Sequence, residues 1–277
     1  MSRPFYVRNY LQWCGLIFLL SPATGGAADL FPGAAASYLI STNHSESWSH
    51  QPERRLPPAS LTKIMTVLLA VEHSQPQDAV TIGPDAATET GSRLGLRVGE
   101  QFRVVDLLAA SLLQSANDAC HALADHIAGN ESNFVALMNR RAKELGLADT
   151  RFSNACGHDH PNHYSSARDL ARLAESILAH PFLAELVSRV EATISTLDGR
   201  HTFRLVNRNE LVGRYQGVAG VKTGYTPKAG KCLIALARRN GAQVMVVLLN
   251  APDRWWTAVD MLDSAFAAVR SPRTAAP

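Results

Sequence analysis

The sequence predicts an α/β chain of the α+β kind: an antiparallel sheet flanked by helices, with a helical subdomain inserted into it. Three observations predict this. Strand-like runs sit near both ends, at Ala35–Thr42 and between Lys231 and Asn250. The middle third carries apolar residues at helical spacing. Two dipeptides, Asp198-Gly199 and Asn240-Gly241, read as hairpin turns, which join strands antiparallel.

In chain order, residues 1–28 come first. Arg3 and Arg8 precede an apolar run, Leu11–Leu20, and small residues follow at Ala23–Ala28. A basic start, a short apolar middle and a small-residue exit read as a secretory signal, too short to span a bilayer. Retention as an uncleaved anchor is the alternative. The strand at Ala35–Thr42 leads through a loop closed by Pro57-Pro58 into a helix over residues 61–72, with Ser60 at its N-terminal edge because proline cannot extend a helix backward. Arg103–Gly129 reads as helical with a polar break at Gln114–Asp118. Asn133–Gly146 stops at a glycine, and Ser165–His180 starts on a serine cap and ends before Pro181. Glu191–Leu205 reads as a hairpin, and strands at Lys231–Arg238 and Gln243–Asn250 as another. An amphipathic helix, Trp255–Val269, closes a folded unit of residues 29–270. Residues 271–277 read as a frayed tail.

The chain has 277 residues, 46% of them hydrophobic, which suffices for a sizeable core. The net charge is +3, and Arg3 and Arg8 contribute two of those charges, so a processed chain is close to neutral and offers no case for nucleic acid. Cys120, Cys156 and Cys232 lie beyond the leader without C-x-x-C spacing and read as small buried residues.

The chemistry gathers in three short segments. In "PPASLTKIMT", Ser60 and Lys63 are three residues apart and share a helix face. A serine hydroxyl needs a base to become a nucleophile, and an amine kept neutral by burial can be that base. A helix N-terminus at Ser60 adds a backbone N–H for a developing oxyanion. Alone, the pair also fits a capping serine followed by a snorkelling lysine. "SAN" (Ser115–Asn117) breaks the long helical stretch, and "KTG" (Lys222–Gly224) falls in the strand-like run "GVAGVKTGYT". S-x-x-K with S-D-N and K-T-G is the set shared by class A β-lactamases and penicillin-binding proteins, and here the three follow in order, each in the expected structural setting.

Between about Ala35 and Val269 the chain resembles the low-molecular-mass penicillin-binding proteins, the serine-type D-alanyl-D-alanine carboxypeptidases that trim peptidoglycan stem peptides. "PPASLTKIMT", "LGLRVGE", "LLQSANDACHALADHIAG", "GHDHPNHYSSARDLARLA", "GVKTGYTPKAGKCL" and "VVLLNAPDR" carry the resemblance. It implies a β-lactamase/transpeptidase-like fold. It implies Ser60 as the acylated nucleophile, Lys63 as base, Ser115 as a proton relay, Asn117 on the substrate amide, and Lys222 as positive potential near Ser115 and the substrate carboxylate. Physical reasoning adds Thr223 and Arg254 on that carboxylate, with a solvated helix start as the other role for Arg254. It also adds Gly224 for close approach of a substrate backbone, and the Tyr225 N–H as second oxyanion donor. No cofactor is expected. The expected partners are the stem peptide and acylating β-lactams, in an exported, periplasmic or extracellular protein of the cell wall.

Three other readings were weighed. A class A β-lactamase needs a deacylating glutamate, and no E-x-x-L-N-like loop lies between Asn117 and Lys222. Endopeptidase action on peptide cross-links uses the same residues and stays open. A non-enzymatic cell-wall module does not need Ser60, Lys63, Ser115, Asn117 and Lys222 together. His158, His160 and His163 beside Asp159 raise a metal site, but the proline-containing loop gives no helical ligand spacing and reads as a polar loop at the site mouth. Trp255-Trp256 reads as a helix start rather than a sugar platform. Family members often carry a further β-rich domain and a membrane-binding helix, which this sequence is expected to lack. Membrane association is left open.

Overall fold

The computed structural model describes residues 29–270. The expected leader and tail lie outside the described residues. Strand β1 (Ser37–Thr42) pairs with β2 (Ser45–His50), and a 3₁₀ turn, Ala59–Thr62, leads into α1 (Lys63–His73). A short hairpin of β3 (Ala79–Thr81) and β4 (Gln101–Arg103) encloses α2 (Pro84–Ala87). Next come α3 (Val104–Ala109), a π turn at Ala110–Gln114, α4 (Asn117–Ala128), α5 (Glu131–Glu144), α6 (Ala167–Leu178) and α7 (Pro181–Ser188). A second hairpin, β5 (Glu191–Ser195) and β6 (Thr202–Val206), precedes β7 (Val218–Thr226), β8 (Gly230–Arg239), β9 (Ala242–Leu249) and α8 (Arg254–Arg270). No helix among the described residues is long and apolar enough to cross a membrane.

The main sheet runs β2-β1-β9-β8-β7, antiparallel throughout, so the first strands and the last three form one sheet around the helical insertion. Strand alternation divides its two faces. Leu233 and Ala235 of β8 and Val244, Val246 and Leu248 of β9 join Tyr38 and Ile40 in packing against α8. Ile234, Leu236, Met245, Val247 and Leu249 point the other way and join the core of the helical lobe. Buried residues run without interruption from Lys63 to Ala70 in α1, as expected of a helix surrounded by protein. The Asn240-Gly241 turn forms as read, both residues having positive φ.

Two elements differ from the sequence reading. Residues 45–50 are the edge strand β2 rather than loop: "SESWSH" is polar because its first three residues are exposed. Pro181 does not only end the preceding helix; it opens α7 at the first helical position, where its missing N–H costs nothing. Serine capping of α6 holds one residue on, where Ser166 accepts the Asp169 N–H.

Candidate active site

Ser60 stands in the 3₁₀ turn before α1, and the turn is braced on both sides. Ala59 has φ +49°, a left-handed conformation costing a non-glycine residue about 1–2 kcal/mol, so its surroundings must hold it there. Thr62 donates to the Ala59 carbonyl at 2.8 Å and meets His163 Nε2 at 2.8 Å. Burial pushes the His163 imidazole down to about 4, so it is neutral, and the Ser153 N–H donates to its Nδ1 at 3.1 Å. The remaining proton therefore sits on Nε2 and is donated to Thr62. Two glycines let neighbouring backbone close on the same turn. A Cβ on Gly157 (φ +92°) would lie 2.0 Å from the Ala59 carbonyl oxygen, and one on Gly224 would lie 3.0 Å from Ala59 Cβ and 3.2 Å from the Ser60 nitrogen. The sequence reading gave Gly224 to the approaching substrate. In the structure its missing side chain is what seats β7 against the serine turn.

Lys63 is fully buried, and three groups surround its amine: Asn117 Oδ1 at 2.7 Å, the Cys156 carbonyl at 2.6 Å and Ser60 Oγ at 3.2 Å. Two of these only accept hydrogen bonds, so they take two of the amine's hydrogens. The third position, facing Ser60, is the one that can hold either a proton or a lone pair. That is the arrangement a base needs.

Ser115 interrupts the helices as the sequence implied, in a left-handed conformation (φ +61°) between the π turn and α4. Its Oγ accepts a hydrogen bond from Lys222 Nζ at 2.9 Å, and Lys222 also donates to the Thr223 carbonyl at 3.0 Å. Burial pulls Lys222 well below the ordinary lysine value, with the Lys63 charge as the next cause. Lys222 lies within β7, an edge strand of the sheet, rather than at its end. Asn117 opens α4, and both ends of its amide are engaged, Oδ1 by Lys63 and Nδ2 by the Thr90 carbonyl at 2.5 Å.

A cleft of about 560 Å³ opens over these groups, lined by Ser60, Ser115, Asn117, Thr223, Tyr225 and Arg254 among others. Lys63 and Lys222 lie beneath it. Arg254 opens α8, stacks over Trp255 at 4.5 Å and donates to the carbonyls of Gly224 at 2.8 Å and Cys232 at 3.3 Å. Its Nε is buried with no hydrogen-bond partner among the described residues. The second helix-start tryptophan, Trp256, is exposed. Arg208 and Glu210, which the sequence reading did not single out, also line the cleft. Neither is the Cys156 carbonyl on Lys63 legible in a sequence, because a backbone acceptor has no residue signature.

The histidine loop diverges. His158 turns to Glu89 at 2.8 Å, His163 to Thr62, and Asp159 accepts from Thr226 at 2.6 Å. Cys120, Cys156 and Cys232 are buried free thiols.

Comparison with known proteins agrees with the geometry. The family model described as D-alanyl-D-alanine carboxypeptidase matches residues 34–253. The chain is 39% identical over 220 residues to D-alanyl-D-alanine carboxypeptidase DacF of Bacillus subtilis, covering 76% of this chain and 56% of DacF. The chain thus spans about half the length of the carboxypeptidases DacF and, in Escherichia coli, DacC. It is 32% identical over 262 residues to a D-alanyl-D-alanine endopeptidase of Pseudomonas aeruginosa, covering 88% of this chain and 84% of that one. Among solved structures, penicillin-binding protein D2 of Listeria monocytogenes in its ampicillin-bound form superposes with TM-score 0.74 at 28% identity, covering 84% of this chain and 98% of that one.

Proposed function

The chain belongs to the D-alanyl-D-alanine carboxypeptidase family, and from that premise we propose that it removes the terminal D-alanine of peptidoglycan stem peptides through an acyl-enzyme on Ser60. The observation that carries this reading is the Lys63 amine, buried, held by two carbonyls and pointed at Ser60 Oγ.

In the proposed sequence the Lys63 lone pair takes the Ser60 proton as Oγ attacks the carbonyl carbon of the penultimate D-alanine. The N–H groups of Ser60 and Tyr225 receive the oxyanion, each such donor typically lowering the barrier by about 3–4 kcal/mol. As the tetrahedral intermediate collapses, the bond to the leaving D-alanine breaks, and its amine takes a proton relayed through Ser115. Lys222 Nζ on Ser115 Oγ orients that hydroxyl. Water then hydrolyses the ester. Lys222, Thr223 and Arg254 line or underlie one side of the cleft and suit a terminal carboxylate. Asn117 contributes by fixing Lys63 and has one amide hydrogen left for substrate. We propose further that the protein is exported and works at the cell wall.

A second reading, cleavage of peptide cross-links, is favoured by one observation: the endopeptidase relative is matched over most of both chains. A β-lactamase reading lacks its deacylating carboxylate. Glu210 in the cleft lining is paired at 3.6 Å with Arg214 in solvent.

Intact-mass measurement after incubation with penicillin tests the shared chemistry. One added drug mass is expected, persisting for many minutes and absent in Ser60→Ala; an unmodified wild type refutes the reading. D-alanine release from a pentapeptide, beside cleavage of a cross-linked dimer, separates the two peptidase activities.

A further inference from the structure

Resting on the serine peptidase reading, we propose that Glu89 is a positioning residue for acylation: its carboxylate bridges His121 and His158 and thereby sets the spacing of the two carbonyl oxygens that hold the Lys63 amine.

Glu89 lies on the loop after α2. Its Oε1 is 2.7 Å from His121 Nδ1 and its Oε2 is 2.8 Å from His158 Nε2, so both oxygens are committed. The Glu89 side chain is 10% exposed and that of His121 11%, so this arm is out of water, whereas His158, at 38%, is partly solvated. The bridge joins three segments: two supply acceptors to the base, and the third holds one of those acceptors. The Glu89 segment continues into Thr90, whose carbonyl accepts Asn117 Nδ2 at 2.5 Å. His121 stands one helical turn after Asn117 on α4, and Asn117 Oδ1 is one of the Lys63 acceptors. His158 is two residues after Cys156, whose carbonyl is the other. The loop between them has no slack, since Gly157 already lies against Ala59. If the His121 arm slips, the Asn117 acceptor moves relative to the amine; if the His158 arm slips, the Cys156 acceptor moves and Gly157 passes part of that shift to the Ala59–Ser60 turn.

The charges around the bridge are consistent with an ionised carboxylate between two imidazoliums. Hydrogen bonding to Glu89 raises His121 to about 9 and raises His158 as well. Glu89 lies far below the usual carboxylate range: burial opposes this, and the two imidazole hydrogen bonds overcome it. Asp125 on α4 and Glu131 at the start of α5 also face His121 and favour its cationic form, whereas Lys63 disfavours that of His158. A glutamine at 89 cannot accept from both imidazoliums, because one end of its amide is a donor.

The test compares wild type, Glu89→Gln, Glu89→Asp and His158→Gln in the full chain. The acylation rate constant with a fluorescent penicillin is measured across pH, with melting temperature and imidazole titration by NMR alongside. Glu89→Gln is expected to acylate on the order of ten- to a hundredfold more slowly, the scale of a small displacement of a catalytic group. Its His121 titration should fall from about 9 toward the ordinary histidine range. Glu89→Asp should recover part of the rate by keeping the charge. A folded Glu89→Gln with wild-type rate and pH profile overturns the proposal. Should that variant not fold, His158→Gln, which removes the imidazolium of the arm to the Cys156 loop at a residue that also lines the cleft, must slow the acylation step without weakening noncovalent penicillin binding, or the proposal falls. A wild type that penicillin does not acylate sinks the peptidase reading and this role with it, whereas normal wild-type acylation with unaffected variants sinks the positioning role alone.

Discussion

On one face of the sheet, alternate residues of β8 and β9 meet Ala258, Met261, Leu262, Ala265 and Phe266 of α8 in a layer whose buried members are apolar. On the other, the same strands cover a helical lobe that buries Lys63, Asp106, Asp118 and Asp169, with Lys222 reaching in from β7 to Ser115. The first face can relax around a substitution and still work. The second carries buried ionisable groups each satisfied by several directed hydrogen bonds, such as those from the Leu94, Gly95 and Leu96 N–H groups to Asp118. The difference teaches where each kind of damage should appear: in stability on the α8 side, in chemistry on the cleft side.

The strongest way to break this comparison is at the base. Lys63→Ala removes a buried amine together with its hydrogen bonds to Asn117 Oδ1 and the Cys156 carbonyl. Relief of desolvation and loss of hydrogen bonds oppose one another, so the unfolding free energy should change by less than about 2 kcal/mol. Acylation by penicillin should fall by about 10⁴-fold, the upper end of general-base contributions, or roughly 5–6 kcal/mol of barrier. A variant that acylates normally would remove Lys63 as base, and one that fails to fold would erase the distinction between the faces.

Next in size is Leu262→Ala. Leu262 is fully buried between α8 and the sheet. Truncation should cost about 2–5 kcal/mol in denaturant unfolding. Per folded molecule, the acylation rate should stay within about twofold, since Leu262 does not line the cleft, although Leu233 of the same cluster pairs with Thr223 and Trp255 packs against it at the start of α8. A large rate loss at full folding would mean that α8 transmits strain to the cleft through Arg254 and the Gly224 carbonyl it holds.

These two regions also differ in how far the sequence exposes them. The α8 layer is written in periodicity, and the alternation in "CLIALARR" and "QVMVVLL" sorts each residue to its face. The cleft is legible where chemistry needs a particular side chain, at Ser60, Lys63, Ser115 and Lys222, which the fold brings together from three segments. It is illegible where backbone does the work. Neither the Cys156 carbonyl on Lys63 nor the reason for Gly224 follows from residue type, because each depends on which distant segment lies against the serine turn. Glu89 was missed for the related reason that a glutamate in a polar loop looks solvated until His121 and His158 arrive from 32 and 69 residues away. Strand β2 and helix α7 were missed for local reasons, a polar edge and a proline that starts an element as readily as it stops one.

The smallest expected effect sharpens the comparison by pH, because two buried histidines on the cleft side titrate in opposite senses. Burial holds His163 down to about 4, so below the ordinary value near 6.5 the unfolded chain binds a proton that the folded chain refuses. Stability should therefore fall as pH drops from about 6.5 to 4, by at most about 3 kcal/mol. His121, raised to about 9, stabilises the fold fully below 6.5, and that contribution is lost as pH rises through 9. Urea unfolding from pH 4 to 10 should thus show a maximum between the two limbs. His163→Gln should flatten the acid limb while leaving the alkaline one, and Glu89→Gln should do the reverse. Because Tyr38, the titratable side chain in the buried α8 cluster, is raised well above the ordinary tyrosine value by burial and its hydrogen bond to Asp29, Leu262→Ala should lower the whole curve without changing its shape between the two histidine limbs. A shape change in that variant would show that the two faces of the sheet do not unfold as independent contributors, and the division drawn between them would fail.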